Sequence, residues 1–399
     1  MNGIDFKRLD WAKLGAIFIL IGLSVAFIYS AQFKSEDAVG SNWIKQLVFA
    51  GMGLAAYATI VWLDYSHVSR LSWWIYGATV LLLLLVFVFP KVNGAHRWIA
   101  LPGFTLQPSE LGKIAVVIGL SAFLAAPDRD MDEWQTLFGC IAIVGLPFLL
   151  IAAEPDLSTS LTLAPISLAI MLYAGVKRRL LAIGLGIVLL CAAATCFWIK
   201  YEITPEIAAL PEAERPAFVL PEMPFLEDYQ KGRVKVFLTD GHDEGGAGWN
   251  KLQSQIAVGS GGLQGKGYLQ GTQNILGFLP RTVAPTDFIF CVIAEETGFI
   301  GGAFIIALYT VLLGRCMRVS LRSRDEFGRL LALGIGVMLF CHVFVNIAMT
   351  IGVLPITGLP LPLMSYGGSF MVSTMIALGL VQTVYQRRRL SSGEEECHA

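Results

Sequence analysis

Apolar residues come in blocks along this chain. Ten runs, each near the roughly 20 residues a helix needs to cross a bilayer, cover 11–31, 42–63, 70–90, 108–127, 135–153, 158–175, 180–199, 287–314, 329–352 and 366–386. The pattern predicts an all-α integral membrane protein: one polytopic domain over 1–399, a bundle of about ten transmembrane helices. One hydrophilic stretch, 200–286, interrupts the rhythm between the seventh and eighth runs. No signal-peptide cleavage pattern follows the first run, which reads as a retained helix.

Composition agrees with this picture, and charge orients it. Of 399 residues, 55% are hydrophobic and 15% charged, where a soluble chain carries about a quarter charged. Mean hydropathy is +0.65. Lys7, Arg8, Arg70, Arg129, Lys177, Arg178, Arg179, Arg315, Arg318, Arg322, Arg324 and Arg387 to Arg389 fall on one set of joints, and Lys34 and Lys91 on the other. An excess of Lys and Arg marks the cytoplasmic side. Both termini are therefore expected in the cytoplasm, with 200–286 an extracytoplasmic loop. Trp43, Trp73, Trp74 and Trp198 fall near the expected interfaces, as an aromatic belt would. The net charge of −1 suggests no nucleic-acid partner. The seven cysteines form no CxxC pair, which speaks against a disulfide framework or a zinc site.

The long loop is not uniform. Its segment TPEIAALPEAERPAFVLPEMPFLE (203–226) is rich in Pro and Glu and reads as a surface excursion. DYQKGRVKVFLTD (228–240) sets Tyr229, Val234, Val236 and Phe237 among cations. That suits an amphipathic piece in the headgroup layer, or a basic patch on anionic lipid. In GSGGLQGKG (259–267), glycines let backbone N–H groups approach a phosphate, and Lys266 adds charge. A flexible reentrant turn accounts for the same residues. NGAHRWIALPGFTLQPSELGK (93–113) and VLPITGLPLPLMSYGGS (353–369) are too apolar for ordinary water loops. Non-helical backbone is tolerated at membrane depth where it lines a cavity, so both are expected to wall an outward-facing groove.

Several charges stand where hydrocarbon would penalise them. Glu110 and Lys113, three apart, share a helix face. The pair either positions helices or neutralises a phosphate through Lys113. Glu154 and Asp156 flank Pro155, where an exposed turn explains them equally well. Glu295 and Glu296 lie inside the eighth run, with Lys113 or Arg97 as expected partners. Asp287 opens that run after Pro285 and Thr286. A first-turn acid favoured by the helix dipole is one reading. A general base, kept ionised beside a cationic, Gly-rich loop, is the other.

At these residues the chain resembles the SEDS family (RodA, FtsW, SpoVE) of bacterial cell-wall synthesis. The likeness runs from the first helix to the last. It is specific at RW (97–98), QPSELGK (107–113), PDL (155–157), YQ…R (229–233), QSQIAVGSGGLQGKGYLQGTQ (253–273), FLP (278–280), TDFIFCVIAEETG (286–298) and PLPLMSYGGS (360–369). The wording GLQGKGYLQGTQ is similar to the RodA branch, which serves elongation and rod shape. FLPRTVAPTDFIF departs from the family's FLPE-x-H-TDFIF by two extra residues and lacks its Glu and His; SYGGSF stands where SYGGSS is usual.

The resemblance implies a peptidoglycan glycosyltransferase of the inner membrane that polymerises lipid II, with its active site facing the periplasm. Asp287 matches the family's catalytic aspartate, and Glu110 and Lys113 its sensitive pair. Arg97, Arg233, Lys266, Glu295 and Ser365 complete the residues expected to bind substrate. An undecaprenyl pyrophosphate leaves from an α bond and the product is β-1,4, so the transfer inverts. No metal site is evident from the sequence; a divalent cation, Mg or Mn, would be held through substrate phosphates. The implied partner is a class B penicillin-binding protein, the transpeptidase. A lipid II flippase and a non-catalytic scaffold are the rival readings.

Overall fold

The computed structural model describes residues 9–33, 40–63, 65–91, 95–101, 103–201, 231–233, 236, 247–280 and 282–396. The Pro- and Glu-rich stretch 203–226 and most of 228–240 lie outside these residues.

Every apolar run folds as helix. In chain order these are α1 (Trp11–Gln32), α2 (Asn42–Trp62), α3 (Tyr65–Arg70), α4 (Ser72–Leu85), α5 (Pro108–Leu124), α6 (Trp134–Ala153), α7 (Leu157–Ala174) and α8 (Arg178–Tyr201). Within the long loop come α9 (Ala247–Ser260) and α10 (Thr272–Ile275), and beyond it α11 (Ile289–Arg322), α12 (Glu326–Thr350) and α13 (Gly368–Glu396). Seven helices among the described residues are long and apolar enough to span a membrane. The third expected run is divided among α3, α4 and a 3-10 turn at Val86–Val88.

Local chemistry sets the ends. Asp10, Asp156 and Asp325 cap α1, α7 and α12 by accepting from Lys13 N, Thr159 N and Gly328 N. Pro108 opens α5, where its missing N–H costs nothing, and Gly175 closes α7 at φ 90°. A short hairpin, β1 (Ile99–Leu101) and β2 (Phe104–Leu106), pairs Ala100 with Thr105 and leads into α5.

Small residues let the helices approach closely. A Cβ on Gly53 of α2 would stand 2.9 Å from Met375 Cγ of α13. One on Gly334 of α12 would stand 2.6 Å from Val117 of α5.

The most unusual element is α11. At 34 residues it would run about 51 Å, well beyond a roughly 30 Å hydrocarbon core. It is broken at Gly298 (φ 66°, ψ −162°). A break leaves carbonyls and N–H groups without helical partners. The glycine-rich turn after α9 fills it. Lys266 N and Gly267 N donate to Glu295 O and Glu296 O, both at 3.0 Å. Phe299 N and Ile300 N donate to Gly262 O and Leu263 O at 2.9 and 3.2 Å.

Candidate active site

A cavity of about 470 Å³ opens at one end of the bundle. Its walls include the two Pro- and Gly-rich segments, through Arg97, Trp98, Thr105, Gln107 and Glu110 on one side and 357–360 with 366–370 on the other. Asp156, Arg233 and Asp287 join them.

Asp287 sits half-buried in the turn before α11. Its N–H donates to Val283 O at 3.0 Å. Asn346 Nδ2 donates to Asp287 O at 2.9 Å and to Leu359 O at 2.7 Å, tying this turn to the strand-like segment after α12. Ser365 Oγ donates to Thr286 O and accepts from Leu361 N. The backbone around Asp287 is thus fixed from two other segments. Gly358 (φ 78°) faces both charges: a Cβ there would lie 3.3 Å from Asp287 Oδ2 and 3.4 Å from Arg233 Nη1. Arg233 Nη1 donates to Thr357 O at 2.9 Å. Burial raises the Asp287 carboxyl to about 6, against the lowering pull of Arg233 and the Thr286 hydroxyl.

Beneath the cavity, Lys113 is 1% exposed and held from two sides. Its Nζ donates to Glu110 Oε1 at 3.0 Å and to His342 Nε2 at 2.7 Å. An ammonium has only hydrogens to give, so Nε2 accepts. The ring proton then lies on Nδ1, which donates to Pro360 O at 3.2 Å. His342 was not among the residues expected from sequence. The signal that picked out Lys113, an ionisable group inside an apolar run, applies equally to it.

The PDL segment is not an exposed turn. Glu154 is 0% exposed and Asp156 6%. Asp156 Oδ2 accepts from Gln107 Nε2 at 3.0 Å and from Ser109 Oγ at 3.4 Å, joining α7 to α5. Arg97 donates to the carbonyls of Glu154 and Pro155. Both carboxyl oxygens of Glu154 lack a hydrogen-bond partner. Burial, with Asp156 adding repulsion and Arg97 opposing, raises Glu154 to about 9 and leaves it neutral near pH 7.

Two expectations change. Glu295 does not pair with Lys113 or Arg97: Lys266 Nζ donates to Glu295 Oε1 at 2.6 Å, and Thr272 Oγ1 and Gln273 N donate to the same oxygen. The glycine turn packs against α11, as a reentrant turn would. Its N–H groups at 266 and 267 serve α11, and neither Lys266 nor Glu295 lines the cavity. The physical reason is the break at Gly298, whose open carbonyls compete for the donors that a ligand would need.

The donor set does not fit a dedicated metal cage. Asp156 is engaged by Gln107 and Ser109, Glu110 by Lys113, and Asp287 stands beside Arg233. Instead the cavity offers one carboxylate that titrates at about 6 and two guanidinia, with the Lys113 ammonium buried behind its lining. Phe49, Trp98, Tyr366 and Phe370 add apolar wall. This suits an anionic, partly apolar substrate and a proton transfer.

Residues 11–390 match the family model FTSW_RODA_SPOVE, described as a cell cycle protein. The chain is 38% identical over 391 residues to "Peptidoglycan glycosyltransferase MrdB" of Escherichia coli (strain K12), covering 97% of this chain and 96% of that one. Its fold matches a chain of a structure titled "Structural coordination of polymerization and crosslinking by a peptidoglycan synthase complex", with TM-score 0.76 and 27% identity over 95% of this chain and 98% of that one. It also matches the crystal structure of the Thermus thermophilus rod shape determining protein RodA, with TM-score 0.64 and 26% identity over 95% and 97%.

Proposed function

The chain belongs to the FtsW/RodA/SpoVE family of cell cycle proteins, and on that premise we propose that it is a peptidoglycan glycosyltransferase that polymerises lipid II into glycan strands during cell elongation. The observation that carries the reading is Asp287, half-buried against Arg233 across Gly358, at the mouth of a cavity able to take a charged substrate.

Asp287, ionised above about pH 6, takes the proton from the 4-hydroxyl of the acceptor sugar. The freed oxygen attacks the anomeric carbon of the donor from the face opposite its α bond. The bond to undecaprenyl pyrophosphate breaks, and its electron pair leaves with the pyrophosphate. The product linkage is β-1,4. Arg97, Arg233 and Lys113 offset the leaving charge. Pyrophosphate leaves as a stable anion, so no carboxylic acid is needed to protonate it. Glu110 orients Lys113, and Ser365 fixes the Thr286 carbonyl next to the base. Lys266 and Glu295 support the site at one remove by holding α11 across its break. A divalent cation, Mg2+ or Mn2+, would arrive on the substrate's phosphates, since the described residues around the cavity form no cage for it.

The protein lies in the bacterial cytoplasmic membrane with both termini inside and the cavity outside. Supporting this, the cavity's lining segments all follow outward-running helices under the Lys and Arg pattern. A class B penicillin-binding protein would add crosslinking beside it.

The test is polymerisation of purified lipid II by detergent-solubilised protein with its transpeptidase partner. Asp287→Asn is expected to lower turnover at least about a thousandfold with the protein still monodisperse. Wild-type kcat/KM should rise with pH through about 6 and then level. Near wild-type turnover in Asp287→Asn would overturn the assignment of the base.

A further inference from the structure

Gln46 lies in α2 one turn before Phe49, which lines the cavity; Gln46 itself is 0% exposed and stands behind that wall. A buried amide among apolar helices is costly unless both N–H groups and the oxygen are used. Here all three are. Nε2 donates to Ser365 O and to Ser24 Oγ of α1, each at 3.1 Å, and Oε1 accepts from Gly367 N at 3.3 Å. A backbone carbonyl and a backbone N–H cannot exchange roles, so the amide has one orientation. Ser24 Oγ in turn donates to Met364 O at 2.7 Å.

The segment so held is the one that holds the base. Tyr366 N donates to Pro285 O at 2.8 Å, and Ser365 Oγ donates to Thr286 O. The two carbonyls before Asp287 are thus fixed by residues 365 and 366, while Gln46 and Ser24 fix 364, 365 and 367. Residues 351–367 form no helix. Backbone of that kind inside a bundle has no helical ladder to set its place, so side chains from neighbouring helices must set it.

Resting on the glycosyltransferase reading, we infer that Gln46 is a positioning residue of the transfer: acting through 364–367, it sets where the Asp287 carboxylate stands, without touching substrate. Packing alone does not call for an amide here. α2 already meets α13 closely through Gly53, where a Cβ would stand 2.9 Å from Met375 Cγ. What the amide adds is a fixed link from α1 and α2, through the turn at 364–367, to the peptide groups on which the base is mounted.

Steady-state lipid II polymerisation by the full chain in detergent, with its transpeptidase partner and with melting curves, tests this. Gln46→Met keeps the volume and removes all three hydrogen bonds. Its kcat should fall about tenfold or more with KM within about twofold, since the cavity lining is untouched. Gln46→Glu keeps the acceptor for Gly367 N and, while protonated, one donor. Its kcat relative to wild type should exceed that of Gln46→Met and fall as pH rises, because an ionised carboxylate repels Ser365 O. Gly53→Ala crowds Met375 from the same face of α2 and controls for stability: Tm falls and kcat stays within about twofold. Amide exchange reads the brace apart from catalysis. Tyr366 N–H should lose about tenfold protection in Gln46→Met and keep it in Gly53→Ala. If Gln46→Met does not fold, Gln46→Glu at high pH carries both readouts. Undiminished kcat or unchanged exchange at position 46, or equal losses in Gly53→Ala, would overturn the inference. A wild-type protein that makes no polymer would count instead against the glycosyltransferase reading, and the exchange result would still decide the brace.

Discussion

Replacing His342 separates two jobs that a buried imidazole performs. It fills space beside Phe370, with centroids 5.1 Å apart, and it accepts from Lys113. His342→Gln keeps an acceptor for Lys113 and a donor for Pro360 O, whereas His342→Phe keeps only the volume. The expected result is a roughly tenfold or larger fall in kcat for Phe, mostly recovered in Gln, read from lipid II polymerisation alongside melting curves. If both variants keep full kcat, the imidazole only packs. Glu154 gives a second residue-scale outcome. Its folded carboxyl titrates near 9, above the ordinary value of 4.5. The folded state therefore holds a proton that the unfolded chain has lost, and stability falls as pH rises between those values. Glu154→Gln mimics the neutral acid, so it should raise Tm by roughly a few degrees at pH 8 and much less at pH 5. A Tm gain independent of pH would mean the side chain stays ionised. Lys113 and Asp287 were legible in sequence because charge in apolar surroundings is conspicuous. Glu154 stayed ambiguous because Pro155 allowed a turn in water, and sequence does not show which turns are covered.

At the scale of elements, the glycines of GSGGLQGKG do different work. Gly265 (φ 81°) has Glu296 O only 2.1 Å from where a Cβ would stand, and Gly261 has Ala294 O at 2.0 Å. Gly259 has nothing within 4 Å. Gly265→Ala should therefore destabilise by about 2 kcal/mol or more, through both backbone strain and collision with a carbonyl. Gly259→Ala, inside a helix, should be neutral or stabilising by up to about 1 kcal/mol. Thermal unfolding of the two variants in one detergent checks the contrast, and equal effects would mean the turn does not plug the break. Sequence marked this stretch as special and placed its boundaries well. It did not show the purpose, because a glycine after Glu295, Glu296 and Thr297 does not by itself reveal a break, and only three-dimensional proximity joins Gly298 to the turn. The membrane-length helices were legible where apolar length fixes them, but α11 and α13 run on to Arg322 and Glu396, past the expected ends at 314 and 386, because polar and charged residues continue a helix beyond the apolar run.

For the whole molecule, the side of the membrane is the quantity to measure. Thr282→Cys, exposed near the Asp287 cavity, should react with an impermeant maleimide on intact cells. Arg322→Cys at the far end of α11 should react only after permeabilisation. The reverse pattern would invert the charge-based orientation. The bundle's helices and their order were legible in the chain, and so was the groove walled by 93–113 and 353–369; that 156–159 joins the same cavity was not, because it depends on tertiary packing. The broken helix also bears on how the protein is made. Half-helices with open carbonyls and amides do not enter lipid cheaply, yet the ribosome delivers 261–267 before 289–322. The filling segment is thus synthesised ahead of the gap it closes, and α11 can complete its hydrogen bonds as it enters the bilayer. Permuting the chain so that α11 emerges first would reverse that order and leave the break to wait in hydrocarbon for its partner.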